Sequence, residues 1–94
     1  DMLDGWVDGT PPLPDEAARA RWIDVCTDAY ERLRRGDTGG VLDGYGSVSP
    51  GEFFAVATEV FFARPVALQR VRPELYRVLA DFYLLDPVAA GATA

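Results

Sequence analysis

The chain has 94 residues, an apolar share of 49% and a formal net charge of −6. This is enough for one small domain and too apolar for wholesale disorder. The acidic balance argues against nucleic acid or an anionic membrane surface as the main partner. All nine basic residues are arginines, and lysine and asparagine are absent, which reads as GC-rich coding rather than function. Histidine is absent too. Cys26 is the single cysteine, so no internal disulfide can form. No apolar run approaches the roughly 20 residues of a membrane span, and the start lacks the pattern of a signal peptide. The expectation is a soluble cytoplasmic protein. The chain opens on Asp1, with its first methionine at Met2, and reads as part of a longer protein.

Residues 1–14 are predicted to be a connector. Asp4-Gly5 and Asp8-Gly9 are turn dipeptides, and Pro11, Pro12 and Pro14 oppose a regular helix. The acids at positions 1, 4 and 8 lack the alternate spacing and final glutamate of a calcium loop. Residues 15–35 predict a helix, with Asp15 and Glu16 at its start and Arg32, Arg34 and Arg35 at its end. Gly36 follows as a stop. Ala18, Trp22, Cys26, Ala29, Tyr30 and Leu33 keep helical spacing and define its buried stripe. Cys26 on that stripe reads as a core thiol, since no histidine can activate it.

Residues 36–48 predict a glycine-rich loop that is not a phosphate-binding loop, because no Gly-Lys-Ser/Thr closes it. Val41, Leu42 and Tyr45 are expected to anchor it to the core. The next helix carries the most informative pattern. Ser49 is a natural N-cap, Pro50 suits the first helical position, and Glu52 stands three residues after Ser49. Phe53, Phe54, Ala55, Val56, Ala57, Val60, Phe61 and Phe62 leave no clear water-facing stripe, so burial is expected. The helix also carries Glu52 and Glu59, seven residues apart and therefore along one line of its surface. Buried carboxylates need a cation, a metal or hydrogen-bond donors.

Pro65 ends that helix. Pro65 to Gln69 reads as a short helical turn. Pro73 opens a last helix with Leu75, Tyr76, Val78, Leu79, Phe82 and Tyr83 inward, and Asp86-Pro87 ends it. Residues 87–94 read as a flexible tail. The predicted fold is all-α over residues 15–86, with three main helices and a possible short helical turn.

The residues alone leave alternatives. The Glu52 carboxylate either reaches back to the Ser49 amide as a capping box or binds a metal. Glu59 either pairs with Arg64, Arg70 or Arg77, or supports a neighbouring site. Its Cα is about 10.5 Å from that of Glu52, which is far for sharing one ion. Tyr45 packs its ring on the core unless it serves catalysis.

The segments DMLDGWVDGTPPL, LDGYGSVSPGEFFAVATEVFFARP and PELYRVLADFYLLDP resemble the C-terminal part of the Mlc titration factor A family, zinc-dependent peptidases of the zincin type. The resemblance implies a catalytic helix bearing His-Glu-x-x-His that ends immediately upstream of Asp1, with two zinc-binding histidines and a general-base glutamate. It implies that Glu52 is the further zinc ligand and that Tyr45, seven residues earlier, stabilises the oxyanion formed when water attacks a peptide carbonyl. It leaves Glu59 a possible role in orienting a ligand histidine. The expected chemistry is peptide-bond hydrolysis, aminopeptidase-like, on a peptide substrate, with a sugar-responsive transcriptional repressor as a further partner. Zinc is expected in the intact protein and not in this chain alone, because one glutamate cannot hold it. The chain is therefore expected to be inert by itself, and to self-associate where the missing N-terminal half would have covered it. The competing expectation is a non-catalytic helical interaction module.

Overall fold

The structure is a computed structural model and describes residues 16–94. The connector predicted for residues 1–14 lies outside the described residues. Among the described residues four α-helices and one 3-10 turn follow one another: α1 (Glu16–Arg34), the 3-10 turn (Gly44–Ser47), α2 (Pro50–Ala63), α3 (Pro65–Val71) and α4 (Pro73–Tyr83). Among the described residues there is no strand, so the fold is all-α. Nor is any described helix long and apolar enough to cross a membrane.

Local chemistry sets the helix ends. Glu16 lies in the first turn of α1, and Arg32 and Arg34 in its last, as the helix dipole favours. Gly36 takes the left-handed conformation at φ 89°. Its amide donates to the Leu33 carbonyl, and that of Asp37 to the Arg32 carbonyl, both at 2.9 Å. This is a Schellman stop, which satisfies carbonyls the helix leaves open. Prolines stand at the starts of α2, α3 and α4, where a missing N–H costs nothing. The predicted turn at Pro65 is a full helix to Val71.

The core gathers one stripe from each helix. Trp22, Cys26, Ala29 and Leu33 come from α1, and Phe53, Val56, Ala57 and Phe61 from α2. Leu68 of α3 and Leu75, Tyr76, Val78 and Leu79 of α4 complete it. Trp22 is wedged between Phe54 and Phe82, with ring centroids 5.8 and 5.6 Å away. Phe82 and Tyr83, expected inside, are only partly buried and pack on the core margin.

Two expectations need correction. Helix α2 is not buried all round: Gly51, Ala55, Glu59, Phe62 and Ala63 face water. Ala55, Glu59 and Phe62 keep helical spacing and form the stripe that composition concealed, because alanine is apolar yet small enough for either face. The last helix also stops earlier than Asp86. Leu84 adopts φ 56° and ends α4, with the Leu84 amide bonded to the Ala80 carbonyl. Asp86 then caps a separate turn, its carboxylate accepting the Ala89 amide at 3.2 Å and the Tyr76 hydroxyl at 2.5 Å. Through the rest of the tail, the Ala92 amide donates to the Pro87 carbonyl, and the Ala67 amide of α3 donates to the Ala94 carbonyl.

Candidate metal-ligand site

Glu52 sits in the first turn of α2 and is partly exposed. Ser49 is extended at φ −160°, ψ 161°, and its hydroxyl accepts the Glu52 amide at 3.2 Å. That is half of a capping box. The return bond, from the Ser49 amide to the Glu52 carboxylate, is not formed among the described residues. The cap therefore fixes the Glu52 backbone and leaves its carboxylate without a hydrogen bond or ion pair among the described residues.

Tyr45 lies on the 3-10 turn that immediately precedes α2. Asp43 is the N-cap, accepting the Tyr45 amide at 2.9 Å, and the Ser47 hydroxyl donates to the Gly44 carbonyl at 2.8 Å. The Tyr30 hydroxyl of α1 donates to the Ser47 carbonyl at 3.3 Å. Gly46 is the buried residue of the turn. Tyr45 itself is 58% exposed, so its ring does not pack on the core as an anchor would. Leu42 is buried in that role, and Val41 is partly buried.

Glu59 lies outward on α2, and among the described residues it makes no ion pair with Arg64, Arg70 or Arg77. Arg77 is engaged by Asp81 at 3.7 Å and Asp86 at 3.6 Å. The structure thus places Glu52 and Glu59 on helix α2 with both carboxylates outside the core, and Tyr45 on the turn before it. This removes the premise that burial forces partners on both acids.

As a metal centre the donor set is incomplete. Among the described residues there is no group of three histidine, cysteine, aspartate or glutamate side chains able to hold an ion. Zinc sites generally use three protein ligands or more. The described residues therefore do not fit zinc by themselves; Glu52 can supply one ligand. Cys26 does not extend the set. It is buried on α1, and burial pushes its thiol up to about 12.

One buried charge was not anticipated from the sequence. Arg72 is 9% exposed. It donates to the Asp37 carbonyl at 2.9 Å and pairs with the Asp37 carboxylate at 3.1 Å, pinning the loop after α1 to the α3–α4 junction. The hydrogen bond and charge of Arg72 hold the Asp37 carboxyl below its ordinary value. Nothing in the dipeptide Arg72-Pro73 signals this contact across 35 residues. A cleft of about 320 Å³ beside it, lined by Arg32, Arg72 and Glu74 among others, contains none of Tyr45, Glu52 or Glu59.

The described residues thus present two glutamates on α2, Glu52 at its capped start and Glu59 further along, and an exposed tyrosine on the preceding turn. The family model for the glucose-regulated metallo-peptidase M90 matches residues 1–84, and the chain belongs to that family. Over 91 residues it is 37% identical to an uncharacterized protein of Synechocystis, covering 94% of this chain and 33% of that protein. It is 34% identical to the Mlc titration factor A of Edwardsiella ictaluri, covering 89% of this chain and 34% of that protein. The Mlc titration factor A of Yersinia pestis is 39% identical over 90% of this chain and 33% of its own length. The chain thus spans about a third of the length of the curated relatives it matches. No solved structure gives a significant match.

Proposed function

We propose that this chain is the C-terminal part of a zinc-dependent metallopeptidase and contributes Glu52 as the third protein ligand. The observation that carries the reading is the half-formed cap. Ser49 holds the Glu52 amide while the Glu52 carboxylate stays uncommitted at the helix start. A glutamate whose main role was capping would close the return bond. The remaining ligands and the general base lie in a His-Glu-x-x-His segment upstream of Asp1, since this chain has no histidine. Tyr45, exposed on the turn that precedes α2, is the candidate oxyanion donor. Glu59, unpaired among the described residues and on the same helix, is suited to orienting a ligand histidine. The reaction is peptide-bond hydrolysis by the intact protein, and this chain alone is inert.

A second reading rests on the exposed apolar side chains Val48, at 65%, and Phe62, at 50%. They suit a non-catalytic helical interaction module, for example one that binds a transcriptional repressor. The gene and a peptide assay separate the two readings. The enzyme reading expects His-Glu-x-x-His just before the codon for Asp1, peptide hydrolysis by the intact protein and none by this chain. A gene that begins at Met2, or an intact protein that cleaves no peptide, contradicts it.

A further inference from the structure

We propose that Gly46 is a positioning residue for Tyr45, and that the missing side chain at Gly46 is what seats the 3-10 turn against helices α1 and α2. The inference rests on the catalytic reading of Tyr45 given above.

Gly46 is buried, although it belongs to a turn whose other residues are exposed or partly exposed. Its φ is not in the left-handed region, so backbone freedom does not explain a glycine here. Close approach does. A Cβ on Gly46 would lie 3.0 Å from Cδ2 of Leu33, 3.4 Å from Cβ of Val56 and 3.5 Å from Cα of Phe53. These atoms belong to the end of α1 and to the first two turns of α2, the helix that carries Glu52. The turn therefore rests on the Phe53 backbone and on the branched side chains of Leu33 and Val56 at the point where Gly46 touches them.

Successive residues of a 3-10 helix point about 120° apart. With Gly46 directed into the core, Tyr45 is set to one side and toward water, as its exposure shows. Asp43 fixes the Tyr45 amide and Tyr30 holds the Ser47 carbonyl, so the turn is tied at both ends and seated in the middle. A methyl at Gly46 requires a few tenths of an ångström of movement, taken up either by the Leu33 side chain or by the turn. The second response moves Tyr45 relative to α2 while leaving Glu52 and its Ser49 cap in place. Small misplacements of a group that acts on the reacting atoms cost rate more than binding.

The test uses the intact protein, with peptide hydrolysis, zinc content and thermal unfolding measured on each variant. Gly46→Ala is expected to lower kcat about tenfold, with KM and zinc content near wild type. Tyr45→Phe is expected to lower kcat at least as much. In the double variant Gly46→Ala/Tyr45→Phe the glycine change is expected to add no further loss, because its effect runs through the tyrosine. Leu33→Val removes the methyl nearest the new Cβ and is expected to restore most of the activity of Gly46→Ala, which separates misplacement from misfolding. Wild-type kcat in Gly46→Ala, equal losses in both backgrounds, or no rescue by Leu33→Val overturns the inference alone. Full activity in Tyr45→Phe overturns the role of Tyr45 and the inference with it. An intact protein with no peptidase activity overturns the functional reading itself.

Discussion

Cys26, Arg72 and Glu52 are ordinary residues in the sequence whose neighbours decide what they do. Cys26 sits between turns of α1 that also bury Trp22 and Ala29, and burial raises its thiol to about 12. At pH 8 only roughly one molecule in ten thousand would carry the thiolate that attacks disulfides. An aromatic disulfide reagent should therefore leave the native chain unlabelled and label it fully in denaturant; native labelling at the denatured rate would place Cys26 outside the core. The core assignment was legible in the sequence, because Cys26 shares its helical spacing with Trp22, Ala29 and Leu33. The burial of Arg72 was not, because it depends on meeting Asp37, 35 positions away, through a loop whose path no local pattern fixes. Glu52 stands between these cases. Ser49, Pro50 and Glu52 announced the cap, but whether the carboxylate closes it is decided by side-chain placement.

At the scale of elements, proline and glycine carry most of the information. Pro50, Pro65 and Pro73 mark the starts of α2, α3 and α4, and Gly36 marks the stop of α1. Each acts through its own backbone, so each is readable without tertiary context. The end of α4 is not readable in this way. Leu84 takes a left-handed conformation that leucine disfavours, and no sequence rule puts a stop there. Holding a non-glycine residue in that region costs about 1 kcal/mol, and Leu84 is exposed, so little packing offsets it. Leu84→Gly is expected to stabilise the chain by up to about 1 kcal/mol, read as a higher urea midpoint with an unchanged slope; a lower midpoint would mean that Leu84 makes contacts worth more than its strain. The outward stripe of α2 was hidden by Ala55, whose hydrophobicity says nothing about which way it faces. In the sequence Gly46 is one loop glycine among five, and its close contact with Leu33 emerges from packing alone.

Across the molecule, two aspartates tie distant segments together. Asp37 binds Arg72 between the loop and the α3–α4 junction. Asp86 accepts the Tyr76 hydroxyl and the Ala89 amide where the tail turns back. Both carboxyls lie below the ordinary value of 3.8, Asp37 chiefly through its hydrogen bond to Arg72 and Asp86 chiefly through that from Tyr76. A carboxyl whose pKa is depressed in the folded state stabilises it fully above the unfolded value, and that stabilisation fades as pH falls through the folded value. The urea midpoint should therefore hold steady between neutral pH and about pH 5, then drop below about pH 4. Asp37→Asn and Asp86→Asn should each start lower at neutral pH and fall less on acidification. An acid-side drop of undiminished size in both variants would assign it to other carboxyls.

The proposed function turns on Glu52 serving as one ligand of a metal held jointly with residues upstream of Asp1. Zinc affinity of the intact protein, measured by competition with a chelator, tests this most directly. Glu52→Ala should weaken zinc binding more than about 100-fold, whereas Glu59→Ala, which removes support for a ligand and not a ligand, should weaken it by about 10- to 100-fold. Wild-type zinc affinity in Glu52→Ala would contradict the account.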